Sequence, residues 1–483
     1  MSRPACLLLL VLGASLLAPV WVVRFVPVVD FPNHLARAFV LAHLNDPAYR
    51  FSEFYAADWH ASPYLALDVI LVGLQRALTV ETAGRLVLSL SLLALPLAVW
   101  FFLRQANPGQ DHLGFWSLLI VYNHFLLTGM INMQLSVALC FCILGVWLRF
   151  LAHPGPWRWL LLLLAVTGLY GTHLLGFAVT ALAVGIVSLR TRLSGRQRIF
   201  SALLFLPGFV LFSFWRASTP ESALLAFPSF RARLAAPFLL LENYLPALDL
   251  ASALVLLGCV FLACWRNPEF RWNHRWLDVC VALATLFLTL PVIYGRATFV
   301  YQRLAPFLFL AALAAIHVGR RARWLAPVAV LLFIVRMAAL SLAFASQQPL
   351  LASLDRSIDF CSPHARVLPL VAWKGDSQAH KNYSQFWAYG VIHKGWYSPY
   401  IFHDPGVHPL RLRYQPYYPS APFNLPTVYR EAPNWGLIQR DYDFVWAFNV
   451  PAFHSELSRI GVPVFEEGDL RVYQMVRPPF AAP

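Results

Sequence analysis

The sequence predicts an all-α polytopic membrane protein of about eleven transmembrane helices, with a long first outer loop and a small C-terminal α/β extracytoplasmic domain. Hydrophobic residues make up 59% of the 483-residue chain and charged residues only 12%, whereas soluble domains carry about 25% charged residues. The apolar residues also form long runs, such as 86–103 and 325–345, which fit a hydrocarbon core about 30 Å thick. Together these two observations exclude a water-soluble enzyme.

The strong positive charge of the chain is explained by the topology expected of a membrane protein. The formal net charge is +14 at pH 7, a value that in a soluble domain would suggest binding to nucleic acid. Basic residues of membrane proteins concentrate in short cytoplasmic loops, because translocating them is unfavourable. We therefore expect no nucleic-acid partner, and the Arg clusters orient the chain instead.

The apolar runs define the predicted membrane helices. The first run, residues 5–23, follows a single basic residue, Arg3. It is longer than a typical signal-peptide core, so we interpret it as an uncleaved first helix; a cleaved signal peptide is the alternative, because residues 14–18 offer small side chains. Hydropathy places the remaining spans at 86–103, 113–127, 131–148, 158–172, 174–189, 199–215, 249–265, 276–293, 303–318 and 324–345.

The alternation of these spans orients the protein. It places the densest Arg groups, including those at 190–198 and 320–323, in short loops on one side. The positive-inside rule then predicts a multi-pass protein of the cytoplasmic (inner) membrane with its N-terminus in the cytoplasm. The predicted domains are a transmembrane domain at 1–346, with its outer loop at about 25–85, and an extracytoplasmic domain at 347–483.

Two outer segments have secondary structure of their own. Residues 64–78 are apolar but carry Asp68 and Arg76, so we predict a juxtamembrane helix that lies at the interface and does not span. In the tail, helical spacing predicts a helix over 454–460, before Gly461, and segments rich in strand-forming residues predict a small α/β domain. The predicted strands are 366–373, 443–449 and 470–476.

An unusual group of polar residues follows the first helix immediately. Its members are Asp30, Asn33, His34 and Arg37, and we predict that Asn33, His34 and Arg37 bind substrate. On a structural interpretation, Asp30 or Asn33 caps a helix, with Pro32 in its first turn. On a functional interpretation, Asp30 is a general base, held where the head group of a membrane-embedded substrate emerges and where partial desolvation raises carboxylate basicity.

A second polar group lies further along the first outer loop. Asp58 and His60 stand beside the aromatic residues Trp59 and Tyr64, a combination that suits a sugar or a divalent cation. Anchoring of the two aromatic rings at the membrane interface explains the same segment.

The tail also carries four histidines whose spacing matches no compact metal-binding motif. They are His380, His393, His403 and His408.

Polar residues at the predicted outer ends of the helices complete the candidate site. Asn132 and His173 fall on the same side as Asp30 in the predicted topology, where they would bind substrate or form hydrogen bonds between helices. Arg296 and Arg303 lie in an outer turn, against the positive-inside trend. A cation at that position suits a lipid phosphate or pyrophosphate, and anchoring to lipid head groups is the alternative.

The layout resembles the GT-C superfamily of membrane glycosyltransferases over nearly the whole chain. The shared features are a first helix, a long outer loop with an early acid, a juxtamembrane helix, further spans and an outer α/β domain. The local sequences that carry the resemblance are DFPNHLAR at 30–37, NHFLLTGMIN at 123–132, THLLGF at 172–177, YDFVWAFN at 442–449 and VFEEGDLRVYQM at 464–475. The paired acid that is usual in the family is missing, because Phe31, Pro32 and Asn33 follow Asp30.

The resemblance implies a reaction of glycan biosynthesis in the cell envelope. A polyprenyl-phosphate sugar would donate its sugar, with inversion, to a glycan, lipid or protein acceptor, while membrane lipids surround the protein. Asp30 would accept the proton of the acceptor, and Arg296 or Arg303 would stabilise the leaving phosphate. Some relatives use a divalent cation, Mg²⁺ or Mn²⁺, for which Asp30 and Asp58 are the candidate ligands here; the sequence leaves this cofactor open.

Two other functions remain open at this point. A transporter or flippase of a lipid-linked glycan would also need polar groups that face a cavity, although it rarely needs an ordered outer domain. A non-catalytic membrane assembly protein would use its tail to bind a partner, and Asp30 would then be only a helix cap.

Overall fold

The computed structural model describes residues 3–218, 224–265, 267–295, 297–372, 383–419 and 433–476. The described chain is mostly helical. Its α-helices are α1 Arg3–Trp21, α2 Phe31–Ala42, α3 Ala66–Leu74, α4 Val80–Ala106, α5 His124–Thr128, α6 Ile131–Ala152, α7 Pro156–Thr172, α8 Leu174–Arg190, α9 Gly195–Leu203, α10 Leu206–Ser218, α11 Phe230–Ala235, α12 Pro246–Cys264, α13 His274–Thr289, α14 Ala305–Ala315, α15 Leu325–Ile358, α16 Ala388–Lys394, α17 Trp435–Asp441 and α18 His454–Ile460.

The strands are short and form four small sheets within the described residues. They are β1 Tyr55–Ala57, β2 Leu225–Ala226, β3 Arg271–Trp272, β4 Ile293–Tyr294, β5 Ala297–Thr298, β6 Ile316–His317, β7 Val367–Val371, β8 Leu410–Leu412, β9 Phe444–Phe448, β10 Gly461–Glu467 and β11 Leu470–Met475. The sheet orders are β1-β8, β2-β4-β5, β3-β6 and β10-β11-β9-β7.

Several helices are consistent with a membrane protein. Among the described residues, five helical stretches are long and apolar enough to cross a bilayer, judged by length and composition. They are Val80–Ala106, Ile131–Ala152, Gly195–Ala217, Pro246–Cys264 and Arg321–Ile358. Shorter apolar helices occur at Leu7–Trp21, Leu174–Arg190 and Gln302–Ala315. The number of eleven transmembrane helices predicted from hydropathy is not confirmed.

The structure differs from the prediction of one helix over residues 113–127. A 3-10 helix covers Asp111–Ile120, and α5 starts separately at His124. The side chain of Asn123 causes the break, because it accepts a hydrogen bond from the Leu126 N–H at 3.0 Å and donates to the Ile120 carbonyl at 2.8 Å. A polar side chain that bonds locally to the backbone competes with helix continuation in this way.

The chain groups into two compact units, and each is assembled from separated stretches. The first unit contains Met1–Val22, Ala61–Leu67 and Arg85–Ala343, and the second contains Val23–His60, Asp68–Gly84 and Phe344–Pro483. The second unit therefore combines most of the first outer loop with the tail. The linear division into domains at 1–346 and 347–483 stays a prediction, because compact units need not be folding domains.

Two sheets build the second unit. In the larger one, β7 runs parallel to β9, and β11 pairs antiparallel with both β9 and β10. Residues of β7 and β9 are buried on both faces, so they form continuous apolar runs without alternation. In the smaller sheet, β1 of the first outer loop pairs antiparallel with β8 of the tail, with Tyr55 opposite Leu412.

The secondary structure predicted for the outer segments is largely observed. The predicted strands correspond to β7, β9 and β11, and the predicted helix at 454–460 is α18; residue 373 lies outside the described residues. The predicted juxtamembrane helix is α3, whose nine residues span about 14 Å, too short to cross a bilayer. Strand β10 was not predicted, because it is mostly exposed and contains Pro463.

A buried ion pair connects α15 to α12 within the first unit. Arg336 Nη1 lies 2.9 Å from Asp249 Oδ1 and donates to Ser252 Oγ at 3.0 Å, while Nη2 donates to the Leu241 carbonyl at 2.6 Å. The Arg336 side chain is only 1% exposed. Charged residues within apolar helices face the interior and pair with one another, so this pair fixes the contact between the two helices.

Substituting Arg336→Met should destabilise the protein by roughly 3–5 kcal/mol, because it leaves a buried carboxylate without its counter-ion. The double substitution Arg336→Met with Asp249→Leu should recover most of this loss, since no buried charge remains. Thermal unfolding in detergent measures both effects, with Arg192→Met at an exposed position as the control. A double variant that is no more stable than the single one would contradict the charge argument.

Candidate functional site

The carboxyl group of Asp30 is not used to cap the helix that follows it. Asp30 occupies the N-cap position of α2, but its side chain makes no capping hydrogen bond. Its backbone is in the helical region, with φ −87° and ψ −3°, whereas a capping residue adopts an extended conformation. Pro32 lies in the first turn, as predicted. The interpretation of Asp30 as only a cap is therefore not supported by the geometry.

Burial changes the acidity of Asp30. Removal of water from around the carboxyl raises the pKa of Asp30 from 3.8 to about 7, and the positive charge of Arg37 opposes this rise without cancelling it. A carboxyl group with a pKa near the working pH is present in both protonation states and transfers protons efficiently. Asp30 therefore has the chemical property that a general base requires.

Asn33 ties α2 to the tail. Its amide group donates to Gln385 Oε1 at 2.9 Å and to the Tyr400 carbonyl at 3.0 Å, and its oxygen accepts from the Phe402 N–H at 2.9 Å. The side chain is fully buried. These three bonds use most of the hydrogen-bonding capacity of the amide, so the structure gives Asn33 a positioning role. Its predicted contact with substrate stays a prediction.

Arg37 forms a buried, bidentate ion pair with Asp68. Arg37 Nε lies 2.7 Å from Asp68 Oδ1, and Nη2 lies 3.1 Å from Oδ2. Both side chains are 1% exposed, and the pair explains why an acid interrupts the apolar sequence of α3. The third nitrogen, Arg37 Nη1, is enclosed and has no hydrogen-bond partner among the described residues. One strong donor thus remains unsatisfied.

The ring of Phe402 packs against three polar side chains. Arg37 lies over the ring at 5.8 Å, His34 meets it edge-on at 5.2 Å, and His408 stacks on it at 5.6 Å with an interplanar angle of 14°. Burial, supported by the charge of Arg37, holds the pKa of His408 well below its usual range. His408 is therefore neutral at pH 7. No local pattern predicts this contact, because His34 and Phe402 are far apart along the chain and the spacing of the tail histidines matches no compact metal motif.

Asp58 and His60 are also fixed by local contacts. Asp58 forms an ion pair with Arg411 of β8, and its backbone N–H donates to the Pro409 carbonyl at 2.6 Å. His60 Nδ1 lies 2.8 Å from the Asp58 carbonyl, whereas Nε2 is enclosed without a hydrogen-bond partner in the described chain. Asp58 therefore joins the first outer loop to the tail within the second unit, whereas the hydrogen bond of His60 stays inside the loop.

The residues present do not fit a divalent cation at Asp58. In the part of the chain that the structure describes, no three His, Cys, Asp or Glu side chains are arranged to hold a metal ion. The Asp58 carboxylate is already paired with Arg411. The Mg²⁺ or Mn²⁺ ion suggested for Asp30 and Asp58 stays a prediction, and no chemical step below depends on it.

The first unit contains a second polar group, around Arg303. Arg303 Nη1 lies 3.4 Å from His173 Nε2, and the Tyr64 ring meets the His173 ring edge-on at 5.1 Å. Asn132 Nδ2 donates to the Tyr64 carbonyl at 3.0 Å. Three of the predicted site positions, Asn132, His173 and Arg303, therefore lie close together. Arg296 lies outside the described residues.

The tautomer of His173 brings several hydrogen-bond donors together around Arg303. His173 Nδ1 accepts a hydrogen bond from the Leu175 N–H at 3.1 Å, so the proton of the neutral ring resides on Nε2. Arg303 Nη1 and His173 Nε2 are then two donors that face each other without an acceptor. Arg303 Nε is also enclosed without a hydrogen-bond partner among the described atoms. An anion would satisfy all three donors.

Compared with protein families, with curated proteins and with solved structures, the chain matches none. The resemblance to the GT-C superfamily therefore stays a hypothesis that is carried by the layout and the local sequences.

Asp30→Asn should change how stability depends on pH. The native state raises the pKa of Asp30 from 3.8 to about 7, so it retains a proton that the unfolded chain releases, and the wild-type protein loses stability as pH rises between these values. The substituted protein lacks this loss and should unfold at a higher temperature than wild type above pH 7. Thermal unfolding in detergent across this range, with the exposed Asp359→Asn as control, measures the difference; parallel pH profiles would contradict it.

Proposed function

We propose that the protein is a membrane glycosyltransferase, of the kind that the GT-C resemblance implies. It moves a sugar from a polyprenyl-phosphate-linked donor to an acceptor on the outer face of the cytoplasmic membrane, with inversion. The proposed topology has eleven spans, the N-terminus in the cytoplasm and the tail outside. The observation that supports this function best is Asp30, a carboxyl with a pKa of about 7 that the fold does not use as a helix cap.

In the proposed reaction, Asp30 acts as the general base. The carboxylate takes the proton of an acceptor hydroxyl as the hydroxyl oxygen attacks the anomeric carbon of the sugar. The bond between that carbon and the phosphate oxygen breaks, and the phosphate leaves with the electron pair. Because attack comes from the face opposite to the leaving group, the configuration at the anomeric carbon inverts. Asp30 must be deprotonated at the start of each cycle.

Arg303 and His173 are assigned to the phosphate of the donor. A phosphate oxygen accepts hydrogen bonds. The facing donor groups of Arg303 and His173 need such an acceptor. The negative charge on that oxygen increases as the bond to the sugar breaks, so preorganised donors stabilise the transition state more than the ground state. Arg303 has a fixed charge at all relevant pH values, which suits this role.

The anion site by itself would also suit a transporter of a lipid-linked glycan, because such a protein binds the same phosphate. Transport moves the lipid without a proton transfer, so it gives Asp30 no chemical role. A non-catalytic assembly protein would require Asp30 to act structurally, and the expected capping bond is not formed. Glycosyl transfer gives the Asp30 carboxyl a chemical role and is therefore preferred.

Asp30→Asn should lower sugar transfer by about 10²- to 10⁴-fold, the usual contribution of a general base. The assay is transfer of radiolabelled sugar from polyprenyl-phosphate sugars in proteoliposomes, with and without EDTA, and with Asp359→Asn as control. Wild-type activity should rise with pH through about 7 as Asp30 loses its proton. Equal transfer by both proteins, or no transfer from any donor, would reject the proposal; the EDTA arm decides the cation.

Arg303→Gln should raise the KM for the donor by roughly 10- to 100-fold, since a charge-assisted hydrogen bond contributes about 1.5–3 kcal/mol. Arg303→Lys should lose less, because it keeps the positive charge but not the planar set of donors. The control is Arg192→Gln, at an exposed position. An unchanged KM for the donor in Arg303→Gln would remove this residue from the phosphate site.

A further inference from the structure

Two of the enclosed polar atoms in the second unit that have no hydrogen-bond partner among the described residues are Arg37 Nη1 and His60 Nε2. Arg37 Nη1 is a donor, and among the described residues it has no acceptor. His60 Nδ1 donates to the Asp58 carbonyl at 2.8 Å, so the neutral ring leaves Nε2 as an acceptor, and that atom has no donor within the described chain. A hydroxyl group both donates and accepts a hydrogen bond, so a ligand with several hydroxyls matches both atoms.

Both atoms belong to a cluster built around Phe402. His408 stacks on Phe402, which Arg37 and His34 also contact, and the charges of Arg37, His34, His403 and His60 add to burial in lowering the pKa of His408. The first outer loop supplies Arg37, His34 and His60, and the tail supplies the other members. The hydrogen bonds of Asn33 to Gln385, Tyr400 and Phe402 hold the first outer loop and the tail together.

The two guanidinium groups at the cluster are each paired with a carboxylate, and this pairing decides the class of ligand. The guanidinium of Arg37 is paired with Asp68, and that of Arg411 is paired with Asp58. Burial keeps His408 neutral by holding its pKa well below the usual range. An anionic ligand would therefore find no free cation in this cluster, in contrast to the donors around Arg303. Neutral hydroxyl groups can form hydrogen bonds here without needing a free cation.

Two members of the cluster, His403 and His408, lie in a segment without regular secondary structure. Residues 401–408 form neither helix nor strand, and their turn is closed by bonds from the N–H groups of Val407 and His408 to the Asp404 carbonyl. The turn also places Asp404 at the surface.

We propose that the cluster formed by Arg37, His60, His403 and His408 binds the hydroxyl groups of a neutral saccharide. In the proposed reaction this saccharide is the acceptor, and only that assignment rests on the proposed function. Binding itself requires no donor and no chemistry. His60 Nε2 accepts a hydrogen bond from one hydroxyl, and Arg37 Nη1 donates to another.

The test measures binding and transfer separately in the full-length protein. Saturation-transfer NMR in nanodiscs uses a set of neutral hexose and pentose disaccharides, with digalacturonic acid as the anionic comparison. At least one neutral disaccharide should bind, and His60→Phe, which keeps a ring and removes the acceptor, should weaken it at least about tenfold. His153→Phe, at an exposed position, should have no effect. His408→Gln provides a second variant if His60→Phe unfolds at a lower temperature.

The outcomes distinguish this inference from the proposed function. Binding of no neutral disaccharide, equal binding by His60→Phe, or preferred binding of digalacturonic acid would overturn the saccharide site. Binding that depends on His60 in a protein without any sugar transfer would reject the glycosyltransferase and keep the site. If transfer occurs and disaccharide binding depends on His60, but His60→Phe leaves the KM for the acceptor unchanged, the function and the saccharide site stand and the assignment of this saccharide as the acceptor is rejected.

Discussion

The buried ion pair between Arg37 and Asp68 is the constraint on which the second unit depends. Both side chains are 1% exposed, so each charge would be prohibitively costly to bury without the other. The pair fixes α2 against α3, two helices of the first outer loop. With α2 held, Asn33 can bind the tail at Tyr400 and Phe402. The pairing of β1 with β8 continues the same connection.

The polar groups of the two units differ in whether their Arg side chains are paired with a carboxylate. In the second unit, Arg37 and Arg411 each face a carboxylate, so the ligand proposed there is a neutral saccharide. In the first unit, Arg336 is paired with Asp249, but Arg303 faces the Nε2 donor of His173, so the ligand proposed there is an anion. Arg therefore has a structural role at Arg37, Arg411 and Arg336 and a proposed ligand-binding role at Arg303.

Hydropathy predicts helices well because a bilayer requires long apolar stretches, and α4, α6 and α12 lie where they were expected. It fails at residues 113–127, since the break depends on the bonds of a single side chain, Asn123. The candidate site was predictable only in part. The density of polar residues at Asp30 was visible in the sequence, but the partner of Asp58 is Arg411, more than 350 positions away, and no local pattern encodes such a contact.

The spacing of the first-loop group explains how one short segment serves several roles. Asp30, Asn33, His34 and Arg37 stand at positions i, i+3, i+4 and i+7, which share one face of a helix. That face carries the bonds of Asn33 to the tail, the edge contact of His34 with Phe402 and the ion pair of Arg37. Among the described residues of this face, Asp30 stands at its start and forms no capping bond with its side chain. Desolvation raises the pKa of that carboxyl, so the fold changes its acidity without using it to hold the helix.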